Sequence, residues 1–174
     1  MFVLGIDPGL SRCGYGAVRR DGSALEAVVG GVLSTPPDED LPDRLCSMLV
    51  DLQELLAELR PEVVVIEHVF FQTNVRTAMS VGQASGLAMV AAAQAGCPVV
   101  RYTSNEVKMA LVGYGAATKQ QVQRMVASVL HLDSPPSPPD VADALALSVC
   151  HLTTMPLRRA TAAAIAASRR GRSA

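Results

Sequence analysis

Apolar positions along this chain fall into two alternating periods. Residues 2–6 form an apolar run read as a buried strand, closed by Asp7 and the turn Pro8-Gly9. Residues 14–20 and 25–33 alternate loosely about Arg20-Asp-Gly22, a hairpin turn signal, so three strands in a meander come first. From 43 to 59 the apolar residues fall at 45, 48, 49, 52, 55, 56 and 59, one face of a helix. Pro61 punctuates, and Val63-Val-Val-Ile66 then forms a fourth strand closed by Glu67. A long helix over 75–95 carries Ala78, Gly82, Gly86 and Ala93 among its small positions, a face expected to pack on its own sheet. A short fifth strand covers 98–102.

The last third reads as helices. Ser104 is placed to cap one that carries Lys108 in its second turn, and 113–115 is a loop. Thr118-Lys-Gln-Gln121 has the form of a capping box opening a further helix. Ser134-Pro-Pro-Ser-Pro-Pro139 is a stiff linker that delivers Asp140 at a helix start. The element order is written β-β-β-α-β-α-β-α-α. It predicts an α/β fold, a mixed five-stranded sheet with helices on both faces. Strands one and four become parallel neighbours ending at one edge, which sets Asp7 beside Glu67.

Composition narrows the classes. The chain has 174 residues, no Trp and few aromatics, so its core is aliphatic and alanine-rich. Residues 1–155 are expected to form one domain, and the Ala/Ser/Arg-rich tail 156–174 to be frayed or disordered. No basic segment precedes the first apolar run, which Asp7 interrupts, so no signal peptide is expected. No stretch has the apolar length of a membrane helix, and a soluble, cytoplasmic protein is expected. Cys13, Cys46, Cys97 and Cys150 form no Cys-x-x-Cys pair and are expected to be reduced and mostly buried.

Net charge is −1, but unevenly spread. All sixteen acids and ten of the fifteen Lys and Arg lie before residue 157, leaving 1–156 at −6 and the tail at +5. Two divalent ions at a carboxylate cluster would bring the core to about −2, so net charge does not exclude a DNA ligand.

Four acids carry the candidate chemistry. Asp7 and Glu67 each end a buried strand, where a carboxylate is costly unless something positive neutralises it. Asp140 and Asp143 lie three apart at a helix start and share a face. Converging, the four would repel; hard divalent cations, magnesium above all, suit such oxygen ligands. Two ions about 3.5–4 Å apart form the clamp used in phosphodiester cleavage. Each acid also has a plainer reading. Asp7 fits a turn, Glu67 a partner for a buried arginine, Asp140 a helix cap and Asp143 a favourable charge near a helix N-terminus. Phe70-Phe71 after strand four offers a stacking platform for unstacked bases or two core residues, and Lys108 and Lys119 can reach phosphates or simply be solvated.

The motifs Gly5-Ile-Asp-Pro-Gly9, Ile66-Glu-His-Val-Phe70, Glu106-Val-Lys108, the loop 113–119 and Asp140-Val-Ala-Asp-Ala-Leu145 resemble, in order and spacing, those of the RuvC family of bacterial Holliday-junction resolvases. The resemblance runs from about residue 2 to 154. It implies an RNase H-like fold of the retroviral integrase superfamily. It also implies a homodimer and Mg²⁺-dependent symmetric nicking of two opposed strands of four-way junction DNA in recombination and DNA repair. Two Mg²⁺ per site are expected, with Mn²⁺ as a substitute, and a RuvA–RuvB branch-migration complex as partner. By position, Asp7, Glu67, Asp140 and Asp143 match the family's catalytic metal-binding carboxylates. Phe70 matches an aromatic that stacks near the crossover, Lys108 and Lys119 match basic residues facing DNA, and Arg76 is placed with them. His68 departs from the family's usual Gln or Arg; contact with the scissile phosphate and simple space filling are its two readings, the second favoured. Two other classes share features with this chain. The Gly-Ile-Asp-x-Gly pattern also opens the phosphate hairpin of sugar kinases and ATPases, but those enzymes need a duplicated domain. A catalytically silent junction-binding protein has no use for all four carboxylates.

Overall fold

The structure, a computed structural model, describes the backbone of residues 1–68 and 75–171; the side chains of Arg76 and of 156–171 are not described. Strands β1 (Phe2–Asp7), β2 (Arg12–Asp21) and β3 (Ala24–Ser34) form the meander. Helix α1 (Leu41–Leu59), strand β4 (Val63–Glu67), helix α2 (Val75–Gln94) and strand β5 (Val99–Tyr102) follow. Three helices close the chain: α3 (Ser104–Val112), α4 (Lys119–Val129) and α5 (Pro139–Gly171). The helices expected at Ser104, Thr118 and Asp140 are all present as separate elements, so the order written from the sequence counts one helix too few.

The sheet order is β3-β2-β1-β4-β5. β1 pairs antiparallel with β2 and parallel with β4, with Ile6 opposite Ile66. Asp7 and Glu67 are therefore next to each other at the carboxyl ends of adjacent strands, as expected.

Strand alternation sorts the core into two layers. Leu4, Ile6, Val64 and Ile66 pack with Met48 and Leu52 of α1 and with Ala88, Ala91 and Ala92 of α2. Val3 and Val65 pack on the opposite face with Val107, Val122, Val126, Leu145 and Val149 of the last three helices. Asp7 is four residues from Val3 and Glu67 two from Val65, so the period of two points both carboxylates at the α5 layer.

Helix α5 lies unusually close to the strands. A Cβ built on Gly5 would overlap the carbonyl oxygen of Ala144, and one on Gly14 the carbonyl oxygen of Asp140. At Gly16 a Cβ would stand 2.7 Å from Leu145 Cγ. Ser148, fully buried, fastens the contact by donating to the Gly16 carbonyl at 2.8 Å.

Several details differ from expectation. The cap of α3 is Thr103, not Ser104: its hydroxyl accepts from the Glu106 amide while Glu106 accepts from the Thr103 amide. The predicted box at Thr118 and Gln121 is present. The Gly82–Gly86 face of α2 does not pack on the sheet. Among the described residues nothing lies within 4 Å of a Cβ built on either glycine, because Ala84, Ala88, Ala91 and Ala92 supply the buried face. The backbone of α5 is helical to Gly171. The cysteines form no disulfide, with Cys13, Cys97 and Cys150 buried and Cys46 exposed. Burial pushes the Cys13 thiol up to about 12, which keeps it inert. Among the described residues no helix is long and apolar enough to cross a membrane.

Gly5→Ala is expected to lower unfolding free energy by about 3 kcal/mol or more, since the obstacle is backbone of a packed helix that side-chain repacking cannot move. Urea denaturation checks it; a loss below about 0.5 kcal/mol would mean that α5 shifts freely on the sheet.

Candidate active site

Helices α3, α4 and α5 and the ends of β1 and β4 enclose a cavity of about 390 Å³. Asp7, Glu67 and Asp143 line it, together with Lys108, Lys119 and Ser104. Val107, Val122, Ala146 and Leu147 supply its apolar walls. Three of the four predicted carboxylates thus meet in one cavity beside both predicted lysines. The fourth, Asp140, is not among the lining residues; its carboxylate is held at the margin by Arg12.

Each side chain has a local reason for its place. Asp7 and Glu67 arrive by strand register. Asp143 lies one turn into α5, whose height over the sheet is set at Gly5 and Gly14. Lys108 is oriented through the capping box of α3, so Glu106, read from sequence only as part of a motif, works by closing that helix. Lys119 is the first residue of α4, immediately after its Thr118 cap. Its ammonium pairs with Asp143. His68 continues the ladder between β4 and β5, its amide donating to the Tyr102 carbonyl at 2.7 Å. Phe70 and Phe71 lie outside the described residues, as does the side chain of Arg76.

The electrostatics follow from crowding like charges out of water. Burial, then Glu67, Asp143 and Asp140, push Asp7 up to about 7. Burial and Asp143 raise Glu67, although Asp7, Lys119 and Lys108 pull it back. Asp143 is raised by burial and Asp140 against the opposing pull of Lys119. Asp140 moves the other way, held below its ordinary value by the Arg12 guanidinium. Burial works against the Lys119 ammonium, but Asp143, Asp7 and Asp140 outweigh it and raise its value.

A donor set made only of carboxylate oxygens fits a hard divalent cation. Asp7 supports that fit, since a desolvated carboxyl near the ends of two strands gains most from a neutralising ion. Among the described residues, however, no three His, Cys, Asp or Glu side chains already stand together closely enough to hold an ion. Lys119 and Arg12 each pair with one of the two helix aspartates instead. Sequence reasoning missed Arg12. The available signal was its position two residues before Gly14, on the strand face that α5 covers.

The profile of the family described as "Crossover junction endodeoxyribonuclease RuvC" matches residues 3–151. The chain belongs to the RuvC family. Curated RuvC proteins from Salinispora arenicola and Moorella thermoacetica are 49% and 46% identical to it. The first match covers 98% of both chains, the second 91% of this chain and 95% of the relative. The solved structure of Thermus thermophilus RuvC in complex with Holliday junction substrate is 38% identical, with a TM-score of 0.85. That match covers 90% of this chain and 96% of the other. The fold is RNase H-like, and the chain is a crossover junction endodeoxyribonuclease by family.

The raised carboxyls set a pH dependence. Asp7 binds more protons folded than unfolded between its ordinary value near 4 and about 7, so stability falls as pH rises through that window and is level above it. Glu67 and Asp143 act in the same direction. Asp140 acts oppositely, losing stability only as pH falls below its ordinary range. In chelator, urea denaturation is expected to show a loss of up to about 4 kcal/mol from pH 4 to 7, and Asp7→Asn to remove most of the slope. Stability that rises across this window would refute the charge crowding.

Proposed function

We propose that this chain resolves four-way DNA junctions by metal-dependent hydrolysis of two opposed strands, with Asp7, Glu67, Asp140 and Asp143 as its metal-holding carboxylates. The observation that carries the assignment is a half-buried Asp7 sharing one cavity with Glu67, Asp143 and two lysines. Mg²⁺ is the ion this donor chemistry favours, with Mn²⁺ able to replace it. Bound there, two ions would supply an activated water and charge stabilisation at the scissile phosphate. The protein's own part is to hold anionic oxygens on a stiff sheet edge and helix. It also presents Lys108 and Lys119 to the incoming phosphate, where a preplaced cation stabilises developing charge. Phe70 is assigned to base stacking near the crossover by resemblance to the family, and Arg76 to DNA binding.

The nuclease unit is taken as residues 1–155 and the basic stretch 156–174 as an appendage. A homodimer supplies the second active site that paired nicking requires. Its surface is assigned to α2, where exposed Val75, Met79 and Val90 lie on one helical face with open Gly82 and Gly86. Small and apolar residues at that spacing permit close helix approach. Cytoplasmic location and a RuvA–RuvB complex as the source of junctions complete the reading, again by resemblance.

A synthetic junction incubated with Mg²⁺ should be nicked at paired positions on opposite strands. Glu67→Gln should cut nicking by about a hundredfold or more while junction binding in chelator persists, because Gln keeps the shape and loses the charge. Undiminished nicking by Glu67→Gln would overturn the metal assignment. Met79, 62% exposed, supplies the test of the dimer. Met79→Glu should shift the protein from dimer to monomer in light scattering after size exclusion, with stability held within about 0.5 kcal/mol for a surface change. A dimer that persists would place the interface elsewhere.

A further inference from the structure

Asp140 stands apart from the other three carboxylates. Its Oδ2 accepts from Arg12 Nη2 at 2.8 Å and from Arg12 Nε at 3.3 Å, so both donors converge on one oxygen. Arg12 opens β2 and shares a strand face with Gly14 and Gly16, two and four residues on. Those glycines form the seam on which α5 rests, and Arg12 is the next position along it. It has a side chain long enough to reach the helix start, and that is where it goes. The pair remains partly open, with side-chain exposures of 52% and 27%.

We propose that Arg12 stands on Asp140 in place of a divalent cation and is displaced from it when metal binds at the cluster. This rests on the metal-site reading above. A guanidinium and a metal ion compete for the same carboxylate charge. An exposed ion pair is worth little because water screens it and both side chains lose freedom, so it parts readily. A divalent ion among several carboxylates attracts Asp140 with twice the charge of the guanidinium. Arg12 is therefore a replaceable counter-ion. It lowers repulsion within the cluster when no metal is bound and weakens metal affinity by the strength of its own pair. An arginine that instead oriented Asp140 for the metal would have the opposite effect, since its removal would loosen binding.

The sign separates the two. Mn²⁺ is titrated by calorimetry into the full chain at fixed pH, comparing wild type, Arg12→Gln and Arg12→Lys. Arg12→Gln should bind Mn²⁺ about three- to fivefold more tightly, the range an exposed pair supports. Arg12→Lys, which keeps the charge, should stay near wild type. Unchanged or weaker binding by Arg12→Gln overturns the proposal. A second readout needs no variant: in ¹⁵N-labelled wild type, the Arg12 Nε–H resonance should move toward that of a free guanidinium as Mg²⁺ is added. A resonance that stays in place while the ion binds also overturns it. Absence of any Mn²⁺ binding by wild type would sink the metal-site reading itself, which the Arg12→Gln comparison alone would not.

Discussion

The seating of α5 on the sheet is the constraint on which the active site depends. Side chains are missing at Gly5 and Gly14 because helix backbone occupies their space. This contact fixes how far Asp143 stands from the ends of β1 and β4. A helix lifted by one methyl group would separate the carboxylates of the strands from those of the helix. Ser148 bonding to the Gly16 carbonyl then resists sliding along the seam. Stiffness here comes from packing and hydrogen bonding together, and the charged groups at the cavity depend on it.

Charge is the second constraint, and it opposes the first. Four carboxylates brought to one end of a packed layer would expel one another. The chain meets this repulsion in three ways. Lys119 pairs with Asp143, Arg12 pairs with Asp140, and Asp7 holds its proton to about pH 7. Asp7 carries the largest shift of the four, because burial and all three other carboxylates act on it together. Exposed pairs such as Arg12 with Asp140 contribute little stability but distribute the charge.

Much of this was readable in the residues, for physical reasons that differ by element. Strand ends are sharply marked, because an acid after Val63-Val-Val-Ile66 cannot continue a buried run. Parallel adjacency of β1 and β4 followed from the meander and crossover, and the register places Asp7 beside Glu67. The box at Thr118 was visible since its spacing is its mechanism. The cap of α3 was misplaced by one residue because Thr103 and Ser104 carry the same hydroxyl, and only backbone geometry chooses between them. The outward face of α2 was misjudged for a related reason. Alanines and glycines alternate along that helix, and composition does not say which stripe the sheet buries. Arg12 was passed over because its partner is 128 residues away, a separation no local pattern spans.

That long-range pair bears on how a site can be rigid and still accept ions. Backbone positions are held by contacts that involve no charge: glycine against carbonyl, serine against carbonyl, valine layers on either side. The carboxylates extend from this frame on short side chains whose partners are cations at its rim. On the proposed reading, exchanging one cation for another would alter a side-chain torsion and a hydration shell, while the seam beneath α5 would keep its contacts. On the proposed metal reading, an ion bound there would add its binding free energy to the stability of the fold, and the close packing that makes the cluster repulsive also spares the backbone from rearranging when that repulsion is relieved.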